Sequence, residues 1–429
     1  MGSELRLGDK LVWPGPALSL VGSYKLMKEL LDPATEPTDI IRSFSVSTQY
    51  AAIIADLERC NFRLSDDPPT LVLVPYDWRK DNALAAKRLA DHLDAIFAAH
   101  AGACRISIVA HSMGGLVSRY YLESDAFSSR PAFTAIRQLI TLGTPHRGAP
   151  LALTAALGME KRLFLSADQV KTLVNDDRYP ALYQLLPPED EPFLWDEAAK
   201  AEYLPIPLSA NLIAKLGLSA ANVKSARDFR AKLDVAKRPK DARYFFFVGS
   251  RQRTTCAALL LQEKRVRKID QDDAGDGTVP IWSASLNGVQ SRPVGGEHGS
   301  IYKNAELRST LATLLGHRGV LAVASGVEIA IRDHVVNPGA PLPFVLTPSS
   351  GATELEGDLR IDRLLVDDSR ITSILPLGNT QRIVYRGLAA ERLSLVTEAP
   401  KIPGIYRLTF QVDGTPGVAG SDEFFVQAG

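Results

Sequence analysis

The sequence predicts an α/β protein: a mostly parallel sheet covered by helices, with a helical cap insertion, followed by a C-terminal antiparallel β-sandwich. Three observations carry this. From residue 1 to about 320, unbroken apolar runs of strand length alternate with stretches of helical period. From about 150 to 243 strong strands are lacking, and short helical patterns are broken by Pro180, Pro187, Pro188 and Pro192. From about 325 helical periodicity gives way to short β-branched runs separated by turn signals.

The elements follow in chain order. Residues 70–74 (TLVLV) are an apolar run ending at Pro75 and read as a buried strand. From 82 to about 99, Leu84, Leu89, Leu93, Ile96 and Phe97 recur at helical spacing between charges. Residues 105–109 read as a second strand and 113–123 as a helix. Residues 138–142 and 244–248 read as further strands. Strands joined by helical crossovers imply a parallel sheet covered on both faces. An insertion as long as 150–243 is not a bare loop; it reads as a cap over the C-terminal edge of the sheet. In the tail, 327–331, 344–346, 383–385, 393–396, 405–412 and 424–426 read as strands. Turns at Asn337-Pro338-Gly339, Pro403-Gly404 and Asp413-Gly414 separate them. The expected domains are 1–320, including the cap, and an immunoglobulin-like sandwich over 325–429.

Composition narrows the function classes. Of 429 residues 45% are hydrophobic and 23% charged, the profile of a soluble globular chain. Lys+Arg and Asp+Glu both number 49, so net charge gives no reason to expect a nucleic-acid or anionic-membrane partner. Cys60, Cys104 and Cys256 are far apart and form neither a disulfide framework nor a zinc pattern, which fits a reducing compartment. No signal-peptide order and no run of about 20 apolar residues is present. The expected location is the cytoplasm.

The strongest chemical signal is Ala110-His111-Ser112-Met113-Gly114-Gly115, between a strand and a helix. That context defines a nucleophile elbow, a sharp turn that exposes the Ser112 hydroxyl and needs small flanking residues such as Gly114. The Met113 N–H, at a helix start, is a candidate oxyanion donor. A serine needs a base. His111 adjoins Ser112, but the elbow aims it elsewhere. His92, His100, His317 and His334 lie on helices or in the tail. In α/β-hydrolases the order is Ser, acid, His, which favours His298 in the loop Gly295-Gly296-Glu297-His298-Gly299-Ser300. His146, in Gly143-Thr144-Pro145-His146, is the alternative base and otherwise borders the site. Of Asp272, Asp273 and Asp276, the last has flanking glycines that permit a tight turn exposing its carboxylate. Catalytic Ser112, Asp276 and His298 need no metal and no cofactor. Asp77 and Trp78, in Pro75-Tyr76-Asp77-Trp78-Arg79, close a strand and read either as cleft lining or as a packed turn.

Together, residues 75–79, the elbow, Gly143-Thr144-Pro145, residues 275–279 and Glu297-His298-Gly299 resemble the lecithin:cholesterol acyltransferase family and its bacterial relatives. The resemblance covers about 1–320 and includes the cap segment 179–187; the β-rich tail lies outside it. It implies an α/β-hydrolase core with a mobile cap, and acyl transfer from an ester lipid to an alcohol or water. It assigns Ser112 as nucleophile, Asp276 as acid and His298 as base, with Asp77 and Trp78 near substrate. There is one departure. Such chains usually begin the core with a strand ending in Pro-Gly, whose next residue supplies the first oxyanion N–H. This chain begins Met1-Gly2-Ser3-Glu4-Leu5, inside the turn that follows. The expectation is a natural start upstream; a cloning remnant, or compensation by Met1 or Gly2, are the alternatives. On the first reading the chain as written is weakly active, since one oxyanion donor contributes about 10²–10³ in kcat. It is also poorly soluble, and an extended chain restores both properties.

The function expected is therefore serine-dependent acyl transfer on ester lipids, as an O-acyltransferase or as a lipase or phospholipase-type hydrolase. The substrate is a lipid or small ester, with peripheral membrane contact through the cap. The competing reading is a catalytically impaired hydrolase fold used for binding, with the sandwich as partner module. A third is a hydrolase of peptides or protein-linked lipids. The sandwich carries no catalytic motif and reads as a cover for the core, or as a surface for substrate or a partner.

Overall fold

The computed structural model describes residues 2–15, 24–42, 50–197, 205–262, 265–317, 327–348, 352–367, 370–390, 392–413 and 419–427. A small antiparallel sheet opens the chain: β1 (Ser3–Leu7) lies between β2 (Lys10–Trp13) and β3 (Glu36–Ile40), with helix α1 (Met27–Leu30) in the β2–β3 connection. Helices α2 (Ala51–Arg59) and α3 (Asn82–Ala99) follow. Helix α3 starts where the Asp81 side chain accepts from Ala83 N. Of the predicted stripe it buries Leu89 and Leu93, together with Ala85, Ala86 and Ala90; Ile96 and Phe97 are half-buried, and Leu84 faces outward, 58% exposed.

Next come β4 (Ile106–His111), α4 (Met113–Glu123) and β5 (Ile136–Leu142), and then the insertion. Four helices dominate it: α5 (Leu151–Ala156), α6 (Ala167–Val174), and, after a short strand β6 (Leu194–Asp196), α7 (Ala210–Leu216) and α8 (Ala220–Arg230). The chain returns through β7 (Arg243–Ser250), β8 (Gln252–Leu260), β9 (Val266–Gly275), α9 (Ile281–Ala284), β10 (Gln290–Gly295) and α10 (Ala305–Leu314).

The main sheet is parallel, in the order β10-β7-β5-β4. Alternate residues of β5 and β7 serve opposite faces. Leu139 and Phe246 join Leu89, Ile108 and Tyr121 on the side of α3 and α4. Ile140, Leu142, Phe245 and Phe247 join Ile53, Leu307 and Leu311 on the side of α2 and α10. Both faces are thus covered, as the apolar runs require. All four strands end on one rim, and ligands of such sheets bind at that rim.

The sequence reading does not include β1–β3, β10 or, in the tail described below, 335–336 and 352–367, and at two further places it is misled. Residues 70–74 run without a β-ladder. Leu71 N donates to Arg63 O at 2.9 Å and Tyr76 N to Ser3 Oγ at 3.0 Å. An apolar run gives strand character only where a neighbouring strand supplies ladder partners, and here its polar groups turn to side chains and a loop. Conversely, β8 and β9 form an unforeseen antiparallel hairpin that pairs with β6 of the cap. Its exposed face carries Arg253, Arg267, Asp270 and Asp272, which hides the alternation.

Beyond the boundary region 318–326, which lies outside the described residues, the tail is all β. One sheet is β11 (Val327–Ile331), β13 (Pro341–Pro348) and β16 (Leu393–Glu398), in that order. The other runs β12 (Val335–Val336), β18 (Ala419–Val426), β17 (Gly404–Val412), β14 (Ala352–Asp367), β15 (Arg370–Ala390). Phe344, Leu346, Leu408, Phe410 and Phe424 fill the space between them. This sandwich packs on the cap, with Phe425 edge-on to Phe164 at 5.0 Å.

The sandwich also meets the loop that carries His298. Asp422 accepts from Ile331 N at 2.9 Å and pairs with His334 Nε2 at 3.1 Å, with Lys303 Nζ 4.0 Å away. Burial pushes the carboxyls of Glu297, Glu328 and Glu423 up to about 7. Burial lowers His334, but its Asp422 partner prevails and the net shift is upward. Between the ordinary carboxyl value of 4.5 and about 7, the folded chain holds protons that the unfolded chain releases. These groups therefore stabilise the fold at low pH, and that stability is lost as pH rises through 7. Asp422 is shifted downward, so its own contribution is already complete above 3.8. The expected result is a melting temperature that falls between pH 5 and pH 8, with a shallower slope in Glu297→Gln and Glu423→Gln. Calorimetry across that range checks it.

Candidate active site

Strand β4 runs into α4 through Ser112, whose φ of 54° and ψ of −128° lie outside ordinary strand or helix values. Such strain persists only where the surroundings impose it. Here Thr144 Oγ1 donates to the Ser112 carbonyl at 2.8 Å, and Ser112 N donates to Leu142 O at 2.9 Å. The tight position is not Gly114, where a Cβ would make ordinary contacts at 3.8 Å. It is Gly115, where a Cβ would lie 2.6 Å from Thr144 Cγ2 and collide with Oγ1. The Gly-Thr-Pro motif and the elbow thus lock together. Met113 heads α4, is 8% exposed, and its N–H has no acceptor within the helix.

The other two residues arrive from neighbouring strand ends. Asp276 follows β9 directly and is buried; its Oδ1 accepts from Thr278 N at 3.0 Å and Val279 N at 2.7 Å. His298 follows β10, and its N donates to Asp276 O at 2.9 Å. Its Nδ1 lies 2.8 Å from Asp276 Oδ2 and its Nε2 lies 2.8 Å from Ser112 Oγ. The structure thus brings Ser112, His298 and Asp276 into one hydrogen-bonded line. Ser112 remains half-buried, so its hydroxyl is reachable.

Two glycines make room for the line. At Gly143, with φ of 57°, a Cβ would lie 2.8 Å from Asp276 Oδ2 and 3.4 Å from His298 Nδ1. At Gly249 on β7 it would lie 2.9 Å from the same oxygen. Gly143→Ala is expected to push the carboxylate and imidazole out of line. A displacement of that size costs about 10²-fold in kcat. Ester kinetics should show the loss in kcat, with KM little changed.

Behind the imidazole stands a second chain that the motif does not reveal. His111 Nε2 lies 2.8 Å from the His298 carbonyl, and its Nδ1 lies 2.8 Å from Tyr50 Oη. Burial, reinforced by the His298 imidazole, holds the His111 pKa down to about 3, so the ring is neutral. A carbonyl only accepts, so the proton sits on Nε2 and the Tyr50 hydroxyl donates to Nδ1. His111 is not placed as a base toward Ser112; it steadies the loop carrying His298. Met1 lies outside the described residues, and Gly2 abuts the same tyrosine: a Cβ there would sit 2.8 Å from Tyr50 Oη.

Asp77 and Trp78 are held in packing. Both Asp77 oxygens bind Arg79, at 2.8 Å to Nε and 2.7 Å to Nη2. Arg79 also donates to Thr35 O at 2.7 Å, to Leu30 O and to Asp32 O at 3.3 Å, and its guanidinium stacks 4.7 Å from the Tyr179 ring centroid. The Trp78 indole N–H donates to Ser3 O at 3.3 Å, and its ring meets Trp13 edge-on at 5.3 Å. These residues tie the N-terminal sheet to the cap. His146 is 3% exposed, stacked on Phe246 with centroids 3.8 Å apart, its Nε2 3.0 Å from Thr141 Oγ1. Burial, with the Arg119 and Arg230 charges, drives its pKa well below the usual value, so it stays neutral. A cavity of about 880 Å³ between cap and core is lined by His146, Arg119 and Arg230, but Ser112 is not among its walls.

Among the described residues no helix is long and apolar enough to cross a membrane. No curated protein matches the chain. A chain in the crystal structure of the Tle4–Tli4 complex aligns at 16% identity and a TM-score of 0.41, over 56% of this chain and 66% of that one. The product of gene lin2722 from Listeria innocua aligns at 13% identity and a TM-score of 0.28, over 54% and 65% respectively. The chain thus spans a little under two thirds of each. A family model does match, over residues 40–213, which hold residues 75–79, the elbow and the Gly-Thr-Pro motif. In that region the resemblance read from the motifs holds: residues 40–213 are similar to the lecithin:cholesterol acyltransferase family.

Proposed function

We propose that the chain transfers acyl groups from ester lipids through an acyl-enzyme on Ser112, releasing them to an alcohol or to water. The observation that carries this is the line from Ser112 Oγ through both nitrogens of His298 to Asp276 Oδ2, 2.8 Å at each step. The family match over 40–213 supports a lipid acyltransferase or ester hydrolase within that chemistry.

The steps follow from the geometry. His298 carries its proton on Nδ1 and donates a hydrogen bond to the Asp276 carboxylate, which leaves Nε2 free to accept. As Ser112 Oγ attacks the ester carbonyl carbon, Nε2 takes the hydroxyl proton, and Asp276 stabilises the imidazolium that forms. The Met113 N–H, at the positive end of α4, donates to the oxyanion. The imidazolium then protonates the leaving alcohol. An incoming alcohol or water, deprotonated by Nε2, releases the acyl group and restores Ser112.

The test is intact-protein mass spectrometry after incubation with a lipid extract. A single fatty-acyl increment, mapped to the Ser112 peptide and absent from Ser112→Ala, is the expected result, and its mass names the acyl donor. Ester turnover by the Ser112→Ala protein at the wild-type rate would contradict the proposal.

A further inference from the structure

The cavity of about 880 Å³ under the cap holds a charge that none of the described residues neutralises. Its apolar walls are Leu186, Phe193, Ile206, Leu208 and Val223, and its floor is Arg230 at the end of α8. Arg230 is 9% exposed. Its Nη1 donates to His146 O at 3.0 Å and reaches Pro145 O at 3.5 Å, while Nε and Nη2 have no partner.

Among the described residues no carboxylate answers it. Arg119 beside it is taken by Glu123, at 2.8 and 2.7 Å. At the mouth, Arg227 holds Glu189 at 2.6 Å and Arg147 holds Glu191, while Asp190 is exposed. Burial, with the like charge of Arg119, lowers the Arg230 pKa to about 9, so at neutral pH it is still cationic. A buried guanidinium with two unsatisfied donors is costly, and a fold ordinarily pairs it. Both free N–H groups are closed off from the cavity as it stands; once the guanidinium turns toward it, their common plane matches the two oxygens of a carboxylate.

We propose that this cavity binds an anionic amphiphile, with a singly charged oxyanion against Arg230 and an apolar chain along the cap walls. Ser112 does not line this cavity, so the site is assigned to a bound effector or carried ligand and not to the acyl group under attack.

The experiment is calorimetric titration of the Ser112→Ala protein with decanoate, decanol and inorganic phosphate, so that turnover plays no part and the outcome is independent of the acyl-transfer proposal. Decanoate is expected to bind saturably, at least tenfold tighter than either decanol or phosphate. Adding Arg230→Met should weaken decanoate at least tenfold while the unliganded melting temperature holds or rises, because an unpaired buried charge is removed. Ile206→Trp, which narrows the cavity and keeps the arginine, should weaken decanoate binding, and it serves should the Met protein fail to fold. Equal decanoate affinity with and without Arg230 overturns the proposal, as does phosphate binding as tightly as decanoate, or no binding at all.

Discussion

Replacing Ser112 by alanine is expected to lower kcat for ester cleavage about 10⁴–10⁶-fold with the fold intact, and His298→Ala should do nearly the same. The two changes together should cost little more than either alone. Each residue acts only through the other: the hydroxyl needs a base 2.8 Å away, and the base has no other proton to take. Asp276→Asn belongs to the same set. It keeps the shape of the turn at Thr278 and Val279 but favours the wrong tautomer of His298, a change that costs about 10⁴-fold where such triads operate. Steady-state kinetics on a medium-chain ester give the three values, and an unchanged circular dichroism spectrum shows that the loss is chemical.

The largest expected effect on stability lies at Arg79. Its side chain is fully buried and joins Asp77 to the carbonyls of Leu30, Asp32 and Thr35, while Ala181 N of the cap donates to its own carbonyl at 3.2 Å. Arg79→Met leaves the buried Asp77 carboxylate with Lys80 Nζ, 3.5 Å away, in place of its bidentate partner. Breaking a buried pair from one side costs about 3–5 kcal/mol, because the surviving charge is uncompensated. In thermal unfolding this should appear as a fall of roughly 10 °C. Adding Asp77→Leu to Arg79→Met should recover part of the loss, since no lone charge then remains. A melting temperature unmoved by Arg79→Met would mean that the N-terminal sheet and the cap are not joined through this residue.

How much of this was legible in the sequence depends on the range of the interactions. The helix at 82–99 and the tail strands β11, β13, β16, β17 and β18 were legible because their periodicity is local, whereas β14 was not, and of β15 only 383–385 was. The hairpin of β8 and β9 was not, because its outward face is charged and its alternation only makes sense beside the cap strand it pairs with. Residues 70–74 misled in the opposite way: apolar character signals burial, whereas a strand needs a partner. In the site, Ser112, Asp276 and His298 stand out because each chemical role demands a particular local turn. Tyr50, His111, Gly249 and Arg230 do not, because they act through contacts with residues far away in the chain. The His111 ring shows this well: next to the nucleophile in sequence, it is bonded to the loop of the base 187 positions on.

The most direct test of the whole scheme is labelling with a fluorophosphonate probe, which reacts only with a serine made nucleophilic by its surroundings. Wild-type protein should be labelled stoichiometrically at Ser112, Ser112→Ala not at all, and His298→Ala at least 10³-fold more slowly. Folded wild-type protein that remains unlabelled, or labelling that persists undiminished in Ser112→Ala, would contradict it.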